Sequence, residues 1–318
     1  MRRFTLAWLA VFLLSVFVGA GTAEAAEDIS GTITTTKVIT QNTRLVGDVT
    51  CTMVDGPCID FGASHIKLRL NGFTMTGPAN PDVSDPGSAT GCNPNSGPPP
   101  ADGIRILNQT HAQILGPGMV QKFRRHGLSI IGTLGLSTKV KVSRVTSHHN
   151  CFSGIFASAM SDSSVEGNVS VRNAVNSGGI PCGGNCLVNS HNNRISKNTF
   201  AGNGSIAGGN NDFGVGLIFG SSGNLIEDNT MGGNANGVLI HADAAGNVIR
   251  GNVIAGNPPS QVSRTFGASI GADIKDESTT VGSGARNTIE KNWCVTYIGP
   301  GPAPCPSLPG PGAGDDDD

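Results

Sequence analysis

The chain has 318 residues, of which 46 are glycine, 5% are aromatic and 14% are charged. This composition argues against an ordinary helical or doubly wound enzyme, and the lack of a glycine at every third position excludes collagen. Hydrophobic residues make up 37% and the formal net charge is −2, so the chain does not belong to the disordered class, which needs a high net charge. The composition therefore predicts a turn-rich β protein.

Residues 1–25 have the pattern of a secretory signal peptide. Two arginines at positions 2–3 precede an apolar run over residues 6–18, and residues 23–25 fit a small-x-small cleavage site. The run is too short to span a bilayer, which argues against the alternative of an uncleaved anchor. We expect a mature chain that begins near Ala26, has no membrane span and is secreted or periplasmic.

Eight cysteines fit an oxidising compartment. Three pairs are close in sequence and are predicted to form local disulfides: Cys51 with Cys58, Cys182 with Cys186, and Cys294 with Cys305. Cys92 and Cys151 are left over. A zinc site, the alternative for Cys182-Gly-Gly-Asn-Cys186, needs four ligands, and only one such pair exists. We expect no metal site and no cofactor.

An asparagine-marked repeat runs through the middle of the chain. It reads NRISKNTFAGN from Asn193, NLIEDNTMGGN from Asn224 and NVIRGNVIAGN from Asn247, with a partial copy, NTIEKNW, from Asn287. Its apolar anchors are Val142, Val165, Ile195, Ile226, Ile249 and Ile289. The asparagines expected to bond one another along a stack are Asn168, Asn198, Asn229, Asn252 and Asn292.

Short strands precede the anchors. Glycine followed by alternating apolar residues occurs in Gly103-Ile-Arg-Ile and Gly237-Val-Leu-Ile, and such alternation indicates strands with one buried face. Gly, Asn, Ser and Asp between them form tight turns. The pattern predicts an all-β solenoid, in which coils of three strands stack in parallel about 4.8 Å apart and loops cause the variable spacing.

The repeat copies, and the opening segments KVITQNTRLVGDVTC and IKLRLNGFTMTG, resemble right-handed parallel β-helices of the pectin-lyase-like group, and NosD-like members in particular. The resemblance covers roughly residues 32–295 and implies the fold alone. The group includes polysaccharide lyases, hydrolases, epimerases, adhesins and non-catalytic proteins. The acidic cluster, Gly-His-Gly and Asp-Pro-His-Asp motifs of its enzymes are missing here, so no catalytic residue is carried over.

The domain organisation follows from this fold. We expect one β-helix domain over residues 26–298, in which residues 27–60 cover the first coil, since an uncovered end exposes strand edges. The segment 78–101 is predicted to project as a loop. Residues 299–318 are rich in proline and glycine and end in four aspartates, so they are expected to form a disordered tail.

Positive charge is concentrated in residues 103–200. This segment has 10 Lys/Arg and 2 Asp/Glu, so 10 − 2 = +8, and it also holds five of the seven histidines. Such asymmetry indicates an anionic partner. Alignment of the repeat places Lys122, His149 and Arg172 in one column on successive coils.

The predicted partner of this column is an acidic, uronate-containing polysaccharide. Arg172 and Lys122 would bind the sugar carboxylates. Positive neighbours disfavour protonation of an imidazole, so His149 would act as a neutral general base in β-elimination. These three are the candidate catalytic residues, although no proton donor for the leaving oxygen is evident. Further candidate substrate-binding residues are Arg124, Arg125, His126, Arg144 and His148.

Two functions stay open at this point. The protein is either a polysaccharide lyase or another carbohydrate-active enzyme, or a non-catalytic structural or cell-surface adhesive protein whose basic face binds acidic polymers without chemistry. Nucleic acid is disfavoured as a partner because the chain is exported and the basic segment lacks aromatic residues. Glu227 and Arg250, which share one column, are expected to form a surface ion pair.

Overall fold

The computed structural model describes residues 26–80, 92, 102–133, 137–174, 183–204, 213–257, 271–278, 286–300 and 302–305. Within these ranges the chain forms thirty strands and no helix, and every strand pairing is parallel. The chain is therefore an all-β, right-handed parallel β-helix, as the sequence predicts.

Each coil passes through three faces in turn. The first, here called the glycine face, is a 10-stranded sheet. Its strands are β2 (Lys37–Ile39), β4 (Ile59–Phe61), β7 (Ile104–Leu107), β10 (Leu128–Ile131), β14 (Ile155–Ser158), β18 (Asn185–Val188), β21 (Phe213–Ile218), β24 (Asn236–Ile240), β27 (Ile274–Asp276) and β30 (Tyr297–Ile298).

The other two faces, A and B, together form an 18-stranded sheet. Face A consists of β5 (Lys67–Arg69), β8 (Gln113–Leu115), β12 (Lys141–Ser143), β16 (Ser164–Glu166), β19 (Arg194–Ser196), β22 (Leu225–Glu227), β25 (Val248–Arg250) and β28 (Thr288–Glu290). Face B consists of β6 (Thr74–Thr76), β9 (Met119–Gln121), β13 (Thr146–His148), β17 (Val169–Val171), β20 (Thr199–Ala201), β23 (Thr230–Gly232), β26 (Val253–Ile254) and β29 (Trp293–Cys294).

The N-terminal segment winds along the same path as the coils that follow it. Strand β1 (Glu27–Ile33) pairs with β3 (Thr43–Cys51), and β2 pairs with β4. Residues 27–60, expected to cover the first coil, therefore begin the β-helix themselves. A short extra pair, β11 (Ser137–Thr138) with β15 (Met160–Ser161), lies after two glycine-face strands.

The apolar anchors of the repeat form one interior column of face A. Backbone register aligns Val142 with Val165 and then Ile195, and the column continues through Ile226 and Ile249 to Ile289. All but the last are fully buried. The asparagine-marked segments are thus equivalent parts of successive coils, which confirms that side chains can be aligned by counting along the repeat.

Glycine precedes most glycine-face strands because neighbouring coils approach closely there. A Cβ on Gly154 would lie 2.0 Å from Ser170 Oγ and 3.1 Å from Gly184 O. The oxygen of Gly154 itself accepts a hydrogen bond from Ser147 Oγ at 2.9 Å. The glycine column therefore leaves room for a serine and for the backbone of the next coil. It consists of Gly103, Gly127, Gly154, Gly184, Gly214 and Gly237.

Buried asparagines form a ladder at each of the three corners. The predicted ladder, between faces A and B, is confirmed: each side-chain amide donates to Oδ1 of the next asparagine at 2.9–3.0 Å. A second ladder, before face A, runs through Asn193, Asn224, Asn247 and Asn287. A third, after face B, runs through Asn150, Asn173, Asn203, Asn234 and Asn257.

Among the described residues, three disulfides fasten the coils. Cys51 pairs with Cys58 and Cys294 pairs with Cys305, at the two ends of the described β-helix. The third joins Cys92 to Cys151, which the sequence left without partners. Cys186 is buried, while Cys182 lies outside the described residues, so their pairing stays a prediction.

Candidate anion-binding corner

Lys122, His149 and Arg172 occupy one position in three successive coils. Each follows a face B strand, namely β9, β13 and β17. The amide of Lys122 donates to His148 O at 3.4 Å and that of His149 to Val171 O at 3.3 Å, so the three residues are direct neighbours along the stack. This column is here called the basic corner.

A left-handed backbone conformation turns the chain at this corner. The φ angles of Lys122, His149 and Arg172 are 58°, 52° and 53°. The kink directs the next side chain in each coil inward, where Phe123, Asn150 and Asn173 are fully buried. The side chains of Lys122, His149 and Arg172 themselves remain on the outside of the corner.

Later coils fill the same position with glycine. Gly202, Gly233 and Gly256 continue the column with φ of 58°, 67° and 68°. A residue with a Cβ costs about 1–2 kcal/mol in this conformation, whereas glycine does not. These three coils therefore retain two cationic side chains and an imidazole where the least strained choice is glycine, and such strain is a reason to look for function.

The side chains of the basic corner form a continuous strip. Lys122 and Arg172 are exposed, and His149 is partly buried with its ring edge-on to His148 at 4.4 Å. A Cβ on Gly202 would lie 3.9 Å from Arg172 Cγ, so the stem of Arg172 extends over the next coil. The strip thus offers two cationic side chains that lie two coils apart, about 9.6 Å, with an imidazole between them.

The residues after Lys122 divide between surface and interior. Arg124 and Arg125 are partly exposed beside the corner, whereas His126 is only 3% exposed. The His126 ring stacks on Phe156 at 4.3 Å, and its Nδ1 accepts a hydrogen bond from Ser153 N at 3.2 Å. His126 is therefore not part of the exposed surface beside the corner, because the bend before Gly127 turns the ring under the surface, and a substrate contact of His126 stays a prediction.

His126 belongs to a buried polar group. Its backbone amide and the Ser129 hydroxyl donate to the buried Asp102 carboxyl, at 3.2 and 2.8 Å. Burial raises the pKa of Asp102, while the charge of Arg125 acts against that rise. Burial, and secondarily Arg125, holds the pKa of His126 well below 6.5. These groups support the backbone beneath the basic corner.

We expect His126 to make folding stability depend on pH. Its pKa is lowered in the folded chain, so the unfolded chain takes up the proton first; the stability is complete above pH 6.5 and is lost as pH falls below it. The loss should approach about 1.4 kcal/mol per pH unit. His126→Asn, whose amide oxygen can replace Nδ1 as acceptor, should flatten urea-unfolding free energies between pH 7.5 and 5.5.

The parent chain, measured over the same pH range, provides the control. An unchanged slope in His126→Asn would contradict the assignment.

The structure does not bring Arg144 to the basic corner. Its amide donates to Glu166 O, and it lies at the corner between faces A and B, in a column with Lys197 and Asp228. His148, by contrast, ends β13 directly before His149 and does border the basic corner. In the sequence, only the order of the strands distinguishes Arg144 from His148. Arg144 belongs to the turn after face A, which lies on a different edge of the β-helix from the turn after face B.

A disulfide that the sequence missed lies beside the basic corner. Cys151, two residues after His149, is bonded to Cys92, and the pair packs with Ala79, Phe152 and Ala174 in a small apolar cluster. Cys92 belongs to the segment 78–101, of which residues 78–80 and 92 are described. The predicted projecting loop is therefore tied to the coil that carries His149.

The ion pair between Glu227 and Arg250 is more buried than the sequence suggested. Arg250 and Arg194 both reach the Glu227 carboxylate, at 2.8 and 2.6 Å, and its side chain is 8% exposed. The Arg250 hydrogen bond lowers the pKa of Glu227 and outweighs the effect of its partial burial, with Arg194 adding to it. Both arginines of face A in these coils thus have a carboxylate partner.

The stacked coils and their kinked corners define a right-handed parallel β-helix of the pectin-lyase-like kind. A family described as periplasmic copper-binding protein (NosD) matches residues 101–293, which is more than half of the chain. The chain belongs to this family. No curated protein matches its sequence.

Solved structures share the fold at low identity. The Dettilon tailspike protein has a TM-score of 0.56 and 15% identity over 84% of this chain and 55% of its own, so the chain spans about half of the tailspike. The Azotobacter vinelandii mannuronan C-5 epimerase AlgE6 A-module has a TM-score of 0.55 and 16% identity, over 85% of this chain and 75% of its own. Geobacillus virus E2 ORF18 has a TM-score of 0.52 and 12% identity, over 84% of this chain and 49% of its own.

The family description names copper, and the described residues do not fit a copper centre. No group of three or more His, Cys, Asp or Glu side chains lies together within the described ranges. His65 and His111 are adjacent, but their rings stack at 4.4 Å and 13°, and ring lone pairs lie in two nearly parallel planes that one ion cannot share.

The family description and the disulfides support an oxidising compartment outside the cytoplasm. The family is described as periplasmic, and disulfides are typical of oxidising compartments. In the part of the chain that the structure describes, no helix has the length and apolarity needed to cross a membrane. Residues 1–25 lie outside that part.

Proposed function

We propose that this protein binds an acidic, uronate-containing polysaccharide along the basic corner. The observation that carries the proposal is the placement of Lys122, His149 and Arg172 on three consecutive coils, at positions that later coils fill with glycine. A uronate polymer has one carboxylate on each sugar, and charge-assisted hydrogen bonds from arginine are suited to carboxylates. The name of the AlgE6 module, an epimerase of mannuronan, supports an acidic polysaccharide as the partner class.

Export completes the proposal. Residues 1–25 act as a cleavable signal peptide, which agrees with the periplasmic description of the family and with the three disulfides. Cleavage of the polymer by β-elimination would place His149 as the base and Arg172 and Lys122 on the substrate carboxylate. The alternative is a non-catalytic, adhesive β-helix that uses the same cations for binding alone.

Glycine substitution tests the basic corner without straining the fold. The triple variant Lys122→Gly, His149→Gly, Arg172→Gly copies the later coils, so it should fold at least as stably as the parent chain. Its affinity for polygalacturonate and alginate should fall about tenfold or more, because exposed ionic contacts contribute up to about 1 kcal/mol each. Calorimetry at 50 mM and 200 mM salt measures both the affinity and its salt dependence.

Lys197→Gly with Lys291→Gly is the matched control. These lysines have the same left-handed backbone, φ 57° and 54°, but lie at the corner between faces A and B. The control should bind like the parent chain, and equal binding by the triple variant would refute the basic corner. Ultraviolet absorbance of an unsaturated product from either polymer decides between lyase and binder.

A further inference from the structure

The N-terminal half of face A carries basic side chains that have no carboxylate partner among the described residues. Within the described ranges, none of the following seven side chains has an acidic side chain within ion-pair distance: His65, Lys67, Arg69, His111, Lys139, Lys141 and Arg144. This set is here called the N-terminal basic surface. It lies on a different face from the basic corner.

Cations of the same face have carboxylate partners farther along the stack. Glu227 binds both Arg194 and Arg250, and Glu166 lies 3.8 Å from Lys197. Face A thus changes from unpaired cations in the early coils to paired charges in the later ones. Solvation alone gives no reason for this division, whereas a bound polyanion over the early coils would supply the missing negative charge.

The cations form two adjacent columns. Lys67 and Lys141 both pair with Gln113 of β8, so they lie two coils apart, about 9.6 Å, on the outside of face A. At the preceding corner, His65, His111 and Lys139 occupy successive coils with φ of 64°, 57° and 55°. The result is two parallel columns of basic side chains. The corner column has one in each of three successive coils, and the face A column has a lysine at every second coil.

The two histidines give the surface a dependence on pH. Their rings stack at 4.4 Å. The charged groups that face the pair are Lys139 on the next coil, Asp162 one coil farther, and Lys67 and Lys141 on the adjoining strands. Desolvation, followed by the charges of His65 and Lys139, lowers the pKa of His111 below 6.5, so its ring is neutral at pH 7.5.

We propose that the N-terminal basic surface is a second binding site for a linear acidic polysaccharide, and that it binds more tightly as pH falls. A carboxylate placed against the stacked rings favours the imidazolium form, so binding takes up a proton. The lysines bind the polymer through their charge, and His111 adds a positive charge once it is protonated. The site is independent of the basic corner and stands if that corner fails.

The test uses the triple glycine variant, in which the basic corner cannot contribute. Polygalacturonate affinity should rise about tenfold from pH 7.5 to pH 5.5, as expected for uptake of one proton near its pKa. Adding Lys67→Gln and Lys141→Gln should weaken binding about tenfold at both pH values. Adding His65→Asn and His111→Asn should abolish the increase, and asparagine tolerates the left-handed backbone.

Lys197→Gln with Lys291→Gln, in the same background, is the matched control and should change nothing. Binding that ignores the lysine variants, or a pH dependence that survives the histidine variants, would overturn the second site. A single-stranded DNA probe that binds as tightly as polygalacturonate, with the same losses, would overturn the polysaccharide assignment. Loss of binding in the triple variant alone, before these changes, would leave the basic corner as the sole site and also overturn the second one.

Discussion

Replacing Asn229 by leucine is expected to lower the free energy of unfolding by about 3 kcal/mol. Asn229 Oδ1 accepts from Asn198 N and Asn198 Nδ2, and its own Nδ2 donates to Ile195 O and Asn252 Oδ1. Leucine has a similar size but no polar atoms. The Asn198 amide and the Ile195 oxygen would stay buried without partners, and each such group costs about 1–3 kcal/mol.

Asn192 offers a control only one residue away from another ladder. It is exposed, whereas Asn193 is buried within the second ladder. Asn192→Asp should change stability by less than about 0.5 kcal/mol. Urea unfolding followed by circular dichroism measures both variants, and a loss below about 1 kcal/mol for Asn229→Leu would mean that the ladder adds little to stability.

Gly184→Ala is expected to destabilise the chain by a comparable amount, about 3 kcal/mol, for a steric reason. The added methyl would lie 2.5 Å from Gly214 O, 2.6 Å from Phe200 Cδ1 and 3.1 Å from Asn203 Nδ2. The coils on both sides are fixed at the strand spacing, so neither can move without breaking backbone hydrogen bonds. The local shift would also disturb the third asparagine ladder.

Gly72→Ala separates this steric effect from backbone strain. Gly72 has φ 87° and nothing within 4 Å of its ideal Cβ, so only the conformational cost of about 1–2 kcal/mol applies. The midpoint temperature of thermal unfolding should be clearly lower for Gly184→Ala than for Gly72→Ala. Equal losses would show that the glycine column is needed for flexibility rather than for space.

The interior of the β-helix could be derived from the sequence because every coil repeats one pattern. The anchor residues and the middle asparagine ladder follow directly from it, and so does the alignment of Lys122, His149 and Arg172. Counting succeeds at this corner because, from β9 to β26, the turn after face B has one left-handed residue followed by one inward residue. The loops that vary in length at this corner follow these two positions.

The two further ladders had a signal that the repeat frame did not use. Asn193, Asn198 and Asn203 are spaced by five residues, and the same spacing recurs from Asn224 and Asn247. Five residues are one short strand plus one kinked corner, so the spacing marks consecutive corners of one coil. Reading it would have predicted ladders before face A and after face B.

Other features depend on packing that no local pattern encodes. The burial of His126 comes from the stacking of its ring on Phe156, in the next coil. The Cys92–Cys151 bond joins cysteines 59 residues apart, a separation that no local pattern specifies. The basic side chains of face A could not be distinguished from the basic corner by sequence alone. The strand register separates them, because it places Arg144 at a different corner.

The asparagine ladders give the β-helix an electrical direction. Within each ladder, up to its last asparagine, the side-chain amide donates to Oδ1 of the next asparagine toward the C-terminal end, so the side-chain dipoles add along the axis, whereas the peptide dipoles of neighbouring strands largely cancel. The positive pole of the third ladder meets the buried carboxylate of Asp273, which accepts from Asn257 Nδ2 at 2.9 Å. Its negative pole, at Asn150, faces the coil of Lys122, Arg124 and Arg125, so the cations of the basic corner lie where the axial field favours positive charge.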